Sequence, residues 1–215
     1  MVFLGLEGGD IIIYSRTYKK DKNSSDFGDS IACSSSTSGV KKDNDYHCAL
    51  VTKCGYLIET TTNENGVHEV GYDEGICAKD VVIISYFHVE LPVEKKRKAV
   101  EWARAQIGIK YNYCFDPLSC FNDKVVQLYC SQLIAEAYKH AYEGEEPPFP
   151  ESIMAFNSST VGFWEKYYGD YNRPIPVNTL GTHPNDFRKS EHVKFIGKEE
   201  SNGDMLCITD DGKEI

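Results

Sequence analysis

The sequence predicts one domain of mixed strands and helices, and three observations carry that expectation. Short β-branched runs with hairpin punctuation fill residues 9 to 87, two segments of helical period follow between 93 and 141, and a last apolar run closes the pattern near residue 196. A length of 215 residues suits one core with an added tail. Apolar residues make up 41% of the chain and charged ones 26%, the balance of a globular protein.

The elements follow in order. Gly9-Asp10-Ile11-Ile12-Ile13-Tyr14 reads as a buried first strand after glycine punctuation. Residues 16–45, with seven serines and little periodicity, read as a long polar loop. Three strands, His47 to Thr52, Tyr56 to Thr61 and Val67 to Gly71, are separated by turn-forming stretches, and Val81 to Phe87, apolar on both faces, suits a central strand. Pro92 starts and Gly108 stops a first helix whose stripe is Val93, Val100, Ala103 and Ile107. The second helix carries Cys130, Leu133, Ile134, Ala137, Tyr138 and Ala141, with Gly144 beyond its end. Residues 145–190 hold six of the eight prolines and read as an extended wrap with one helical patch, Trp164 to Tyr168. His192 to Ile196 is a further strand. The expected organisation is a domain over 1–197 and an acidic tail over 198–215.

Charge and composition narrow the function. A formal net charge of -10 repels phosphate backbones, so nucleic acid is not an expected partner. The basic run Lys95 to Lys98 reads as a solvated helix face. No apolar run is long enough to span a bilayer, and Met1 to Leu6 lacks the basic segment and cleavage site of a signal peptide. The eight cysteines contain no CxxC pair, so neither structural zinc nor a disulfide framework is expected; free thiols in a reducing compartment fit better, and no cofactor is implied. The oligomeric state is not encoded in any pattern read here.

One constellation carries chemistry. Cys130 opens a helix, where unpaired N–H groups stabilise a thiolate, and it lies on the helix's apolar stripe. A nucleophile of this kind needs a base and a group orienting that base, for which His47 and Glu59 are the candidates. With Lys53-Cys54-Gly55 as a three-residue loop and Gly55 left-handed, Ala49 faces Glu59 and His47 faces Thr61, which puts His47 and Glu59 on one face as diagonal neighbours. A two-residue loop would place them on opposite faces. Taken singly, a cysteine on an apolar stripe is commonly a packed thiol, a histidine beside a strand is commonly structural, and a strand glutamate is commonly a solvated edge charge.

The stretches Gly9-Asp10-Ile11-Ile12, Tyr46-His47-Cys48-Ala49-Leu50-Val51, Leu57-Ile58-Glu59-Thr60 and Leu128-Tyr129-Cys130-Ser131-Gln132-Leu133-Ile134 together resemble the circularly permuted, YiiX/YebB-like branch of the NlpC papain-like superfamily. In that branch the strands bearing the histidine and the third polar residue precede the helix bearing the cysteine, as here. The resemblance implies an α+β, papain-like (NlpC-type) fold of permuted topology, a curved antiparallel sheet packed against the Cys130 helix. It implies a cysteine hydrolase cleaving an amide bond through an acyl-enzyme on Cys130, with Tyr111, Tyr113 and Ser131 as candidate substrate-lining residues. Two other readings stand beside it: a lipid deacylase, thioesterase or acyltransferase with the same triad, favoured by an apolar groove beside Cys130, and a binding protein that kept only the fold. The substrate would be peptide-like or an acyl lipid. His68, His88, His140, His183 and His192 have no evident partner in the sequence and are read as non-catalytic.

Overall fold

A computed structural model describes residues 5–16, 27–34, 44–53, 55–62, 65–72, 74, 83–115, 126–156, 160–200 and 205–207. The chain is α+β. Strands β1 (Ile11–Arg16), β2 (Asn44–Lys53), β3 (Tyr56–Thr60), β4 (Val67–Gly71), β5 (Ile83–Val89), β8 (Val193–Glu200) and β9 (Met205–Cys207) form one sheet in the order β4-β3-β2-β1-β5-β8-β9. Every pairing in it is antiparallel. Five helices lie among the described residues: α1 (Phe27–Ser34), α2 (Val93–Ala105), α3 (Cys130–Ala141), α4 (Val161–Asp170) and α5 (Pro184–Lys189). A small ladder joins β6 (Ser152–Ile153) to β7 (Leu180–Gly181).

β1 is central because all three of its isoleucines are fully buried between two neighbours. Alternation along the strands sorts the core into two layers. Ile11, Ile13, Cys48, Leu50, Ile58 and Phe87 pack with Cys130, Leu133, Ile134, Ala137 and Tyr138 of α3 and with Ala99, Val100 and Ala103 of α2. Ile12, Tyr14, Tyr46, Ala49, Val51, Leu57 and Tyr86 form the other layer with Ala32 of α1. A third cluster, rich in aromatic rings, joins Tyr111, Phe115 and Tyr129 to Trp164 and Tyr168 of α4, beside the start of α3.

Four expectations are corrected. First, the buried stripe of α2 is Lys96, Ala99, Val100 and Ala103, while Val93 and Ile107 are exposed at 75% and 49%. Lys96 turns inward because its ammonium meets Asp10 Oδ1 at 2.8 Å, so the basic run is not wholly a solvated face. Second, a helix, α1, occupies part of the polar stretch 16–45; the rest of that stretch between α1 and its flanking strands lies outside the described residues. Third, the β2–β3 turn is tighter than expected, with Lys53 paired to Tyr56, and a bulge between Val51 and Lys53 restores the Leu50↔Ile58 register. Gly55 is left-handed at φ 82°, as the turn requires. Fourth, the proline-rich wrap contains α5 as well as α4, and strand pairing continues past residue 197 through β8 into β9.

Candidate active site

The site forms where β2 and β3 meet the start of α3. The Leu50↔Ile58 pair fixes parity: stepping outward along both strands sets Ala49 opposite Glu59 and leaves His47 on the same side. The imidazole Nε2 of His47 lies 3.0 Å from Glu59 Oε2, and both side chains are buried. With Nε2 on the carboxylate, Nδ1 is the ring nitrogen left for Cys130, to which His47 is also hydrogen-bonded.

The approach to α3 is held from several directions. Leu128 bridges Tyr111, accepts from the Thr60 hydroxyl at 3.2 Å and ties the chain before Cys130 to β3. Gln132 Oε1 accepts from the Asn112 amide at 3.1 Å and from the Tyr129 N–H at 3.4 Å, which closes the first turn of the helix from outside. Cys130 is the first residue of α3, 4% exposed, so its sulfur sits at the positive end of the helix, shielded from water.

Electrostatics favour an ion pair. The largest influence on the Cys130 sulfur is a hydrogen bond from the Cys48 thiol; burial opposes ionisation, His47 and the Cys48 N–H assist it, and the result is a thiol well below its ordinary range. Burial works against a charged His47, but the sulfur and carboxylate flanking it prevail and push its pKa up to about 9. Burial likewise disfavours ionised Glu59, yet bonds from His47 and His68 bring it down to about 2. Cys48 moves the other way, its thiol pushed up by burial and by the adjacent sulfur.

Two residues passed over in the sequence reading belong here. His68 lies directly opposite Glu59 in the β3–β4 ladder, with its Nε2 3.4 Å from Oε1 and its Nδ1 2.8 Å from the Gly66 carbonyl. The Glu59↔His68 pairing is the signal that could have found it, since the β3–β4 hairpin was already recognised. Nothing in the spacing of Cys48 within the stretch Tyr46 to Val51 marks a role for its thiol.

A cavity of about 100 Å³ opens beside Cys130, walled by Ile31, Tyr111, Phe115, Met154, Phe156 and Trp164, with Ser131 and Thr182 at its polar edge. Tyr111 lies in this wall. Ser131 lines the cavity too, but its hydroxyl donates to the Thr182 carbonyl at 3.0 Å. Tyr113 is not in the wall; it packs edge-on against Tyr111 and donates to the Thr62 carbonyl at 2.7 Å.

Comparison with known proteins identifies the family and the fold. The model of a family described as permuted papain-like amidase enzyme, YaeF/YiiX, C92 family, matches residues 9–197. The crystal structure of metalloprotein YiiX from Escherichia coli O157:H7 superposes with a TM-score of 0.65 at 18% identity, covering 90% of this chain and 98% of that one, a likeness of fold. No curated protein matches the sequence.

Proposed function

The chain belongs to the permuted papain-like amidase family of the YaeF/YiiX type, and from that premise we propose that it cleaves an amide bond through an acyl-enzyme on Cys130. The observation that carries this reading is the buried row of Cys130, His47 and Glu59, in which the imidazole bonds both the sulfur and the carboxylate.

The Cys130 thiolate attacks the amide carbonyl, and the backbone N–H of Cys130 at the helix start receives the developing oxyanion. As the C–N bond breaks, His47 gives its proton to the leaving amine, and the acyl group stays on sulfur as a thioester. Neutral His47 then takes a proton from water, whose oxygen attacks the thioester; the acid departs and the imidazolium–thiolate pair is restored. Glu59 holds the ring orientation and favours its charged form.

A second reading is supported by the cavity. Its wall is mostly aromatic and aliphatic, which suits the acyl portion of a lipid or thioester as well as a bulky apolar peptide side chain. Among the described residues no helix is long and apolar enough to cross a membrane. The similar YiiX is described as a metalloprotein; among the described residues here no group of three or more His, Cys, Asp or Glu could hold a metal ion, so these residues do not fit one.

Incubation of the full chain with peptide and acyl-lipid libraries, followed by mass spectrometry of the peptide containing Cys130, tests both readings. A peptidyl adduct supports the amidase, and a fatty-acyl adduct supports the second reading. Turnover by a Cys130→Ala protein would defeat both.

A further inference from the structure

We infer that His68 is a positioning residue of this site, held as an imidazolium that pins the outer oxygen of Glu59 and completes a row of alternating charge from His68 through Glu59 and His47 to Cys130. The inference rests on the proposed role of Glu59 and extends it by one residue.

The partners of the ring decide its protonation. Nδ1 faces the Gly66 carbonyl at 2.8 Å, and a carbonyl oxygen only accepts. Nε2 faces Glu59 Oε1 at 3.4 Å, and an ionised carboxylate also only accepts. A neutral imidazole has one N–H and would turn a bare lone pair toward one of these oxygens. Only the doubly protonated ring satisfies both, and the bond to Glu59 then becomes charge-assisted.

The backbone prepares this arrangement. Gly66 has φ +60°, and a Cβ there would collide with the carbonyl of Ile109, so the turn that offers its carbonyl to His68 requires glycine. Register does the rest by setting His68 opposite Glu59. The charged groups acting on His68 are Glu59, which favours the imidazolium, and His47, which weakly opposes it. Its neighbour Glu69 is engaged elsewhere, with Arg104 at 2.7 Å and Thr52 at 2.5 Å. Lys110 is the charged residue of the crossing segment, its backbone passing close to Gly66. Half-buried, hydrogen-bonded at Nδ1 and ion-paired at Nε2, His68 has its pKa raised, first by Glu59.

With both oxygens engaged, the carboxylate cannot rotate away from His47. Without His68, Oε1 is released and the orientation of the base loosens.

The test uses the full chain and needs no substrate. In nitrogen-15 spectra at pH 7, with His68 assigned by comparison with His68→Gln, both ring nitrogens of His68 should carry protons. The pH midpoint of iodoacetamide alkylation of Cys130 should rise by about one unit in His68→Ala, the consequence of losing about one pKa unit of support for the ion pair. His68→Gln, whose amide still donates to Glu59, should reverse most of that shift, with circular dichroism unchanged in both variants. A bare ring nitrogen at pH 7, a wild-type alkylation midpoint in His68→Ala, or a His68→Gln no better than His68→Ala would overturn the inference. Failure of iodoacetamide to single out Cys130 in the unaltered chain would instead strike the catalytic reading, while the nitrogen spectra would still decide the charge on His68.

Discussion

His47 and Glu59, twelve residues apart, meet at 3.0 Å because the bulge in β2 restores the parity that the tight turn after Lys53 would otherwise break. The pair is buried on both sides, so water competes weakly for the carboxylate and the imidazole keeps one orientation. Glu59→Gln preserves shape and removes the charge that sustains the imidazolium. We expect turnover to fall on the order of a hundredfold, with KM little changed and an unaltered circular dichroism spectrum. His47→Ala should cost at least as much, and steady-state kinetics on any substrate found by adduct mapping would rank the two.

The same pair sets a pH window. Glu59 titrates lower in the folded chain, at about 2, than its ordinary 4.5, so its contribution to stability is present above about 4.5 and is lost as pH falls toward 2. His47 titrates higher, at about 9 against an ordinary 6.5, so its contribution is complete below about 6.5 and disappears as pH rises through 9. Thermal melts should therefore be most favourable between these limits. Turnover should fall above about pH 9, because the leaving amine then finds no proton on His47; a rate still rising at pH 10 would contradict this assignment.

Much of this was legible in the sequence because period and punctuation are local. The isoleucines of β1, the hairpins around His47 and Glu59, and the apolar stripe of α3 each appear within about ten residues. What escaped depends on partners far away in sequence. Lys96 reads as a surface residue until Asp10, 86 positions earlier, is brought to it. α1 is only eight residues long, too short for a helical period to stand out from the polar stretch around it, and it joins the layer that includes Tyr46, Ala49 and Val51 of β2. His68 has meaning only once β4 is registered against β3, and the cavity wall gathers residues from Ile31 to Trp164 that no motif links.

Cys48 gives a third expectation. Its thiol and its backbone N–H both favour the charged form of the Cys130 sulfur, while its own ionisation is suppressed. Cys48→Ala keeps the backbone donor and removes the thiol, so the apparent pKa of Cys130 should rise by about one unit, worth about 1.4 kcal/mol of support for the thiolate. Iodoacetamide alkylation followed from pH 4 to 9 would show its midpoint shifted upward. Cys48→Ser, which retains a donor, should shift it less.

The last expectation concerns stability away from the site. Asp10 is fully buried and accepts from the N–H groups of Glu7 at 2.8 Å and Val89 at 2.9 Å, from His88 at 3.1 Å and from Lys96 at 2.8 Å. It thereby ties the start of β1 to the end of β5 and to α2. Removing the Lys96 ammonium leaves a buried carboxylate facing two backbone N–H groups and a partly exposed histidine. Lys96→Met, which fills the same volume, should lower stability by about 3–5 kcal/mol. Asp10→Asn in the same chain should recover part of that loss, since the neutral side chain buries no charge and its single oxygen can still accept from one of the two backbone groups. Urea unfolding of the single and double variants measures the coupling. Alkylation of Cys130 under native conditions should be unchanged in both, because the tie lies on the α2 side of the sheet and contacts neither His47 nor Glu59. Equal stability of Lys96→Met and the unaltered chain would show that the Asp10 charge is compensated by His88 and the backbone alone.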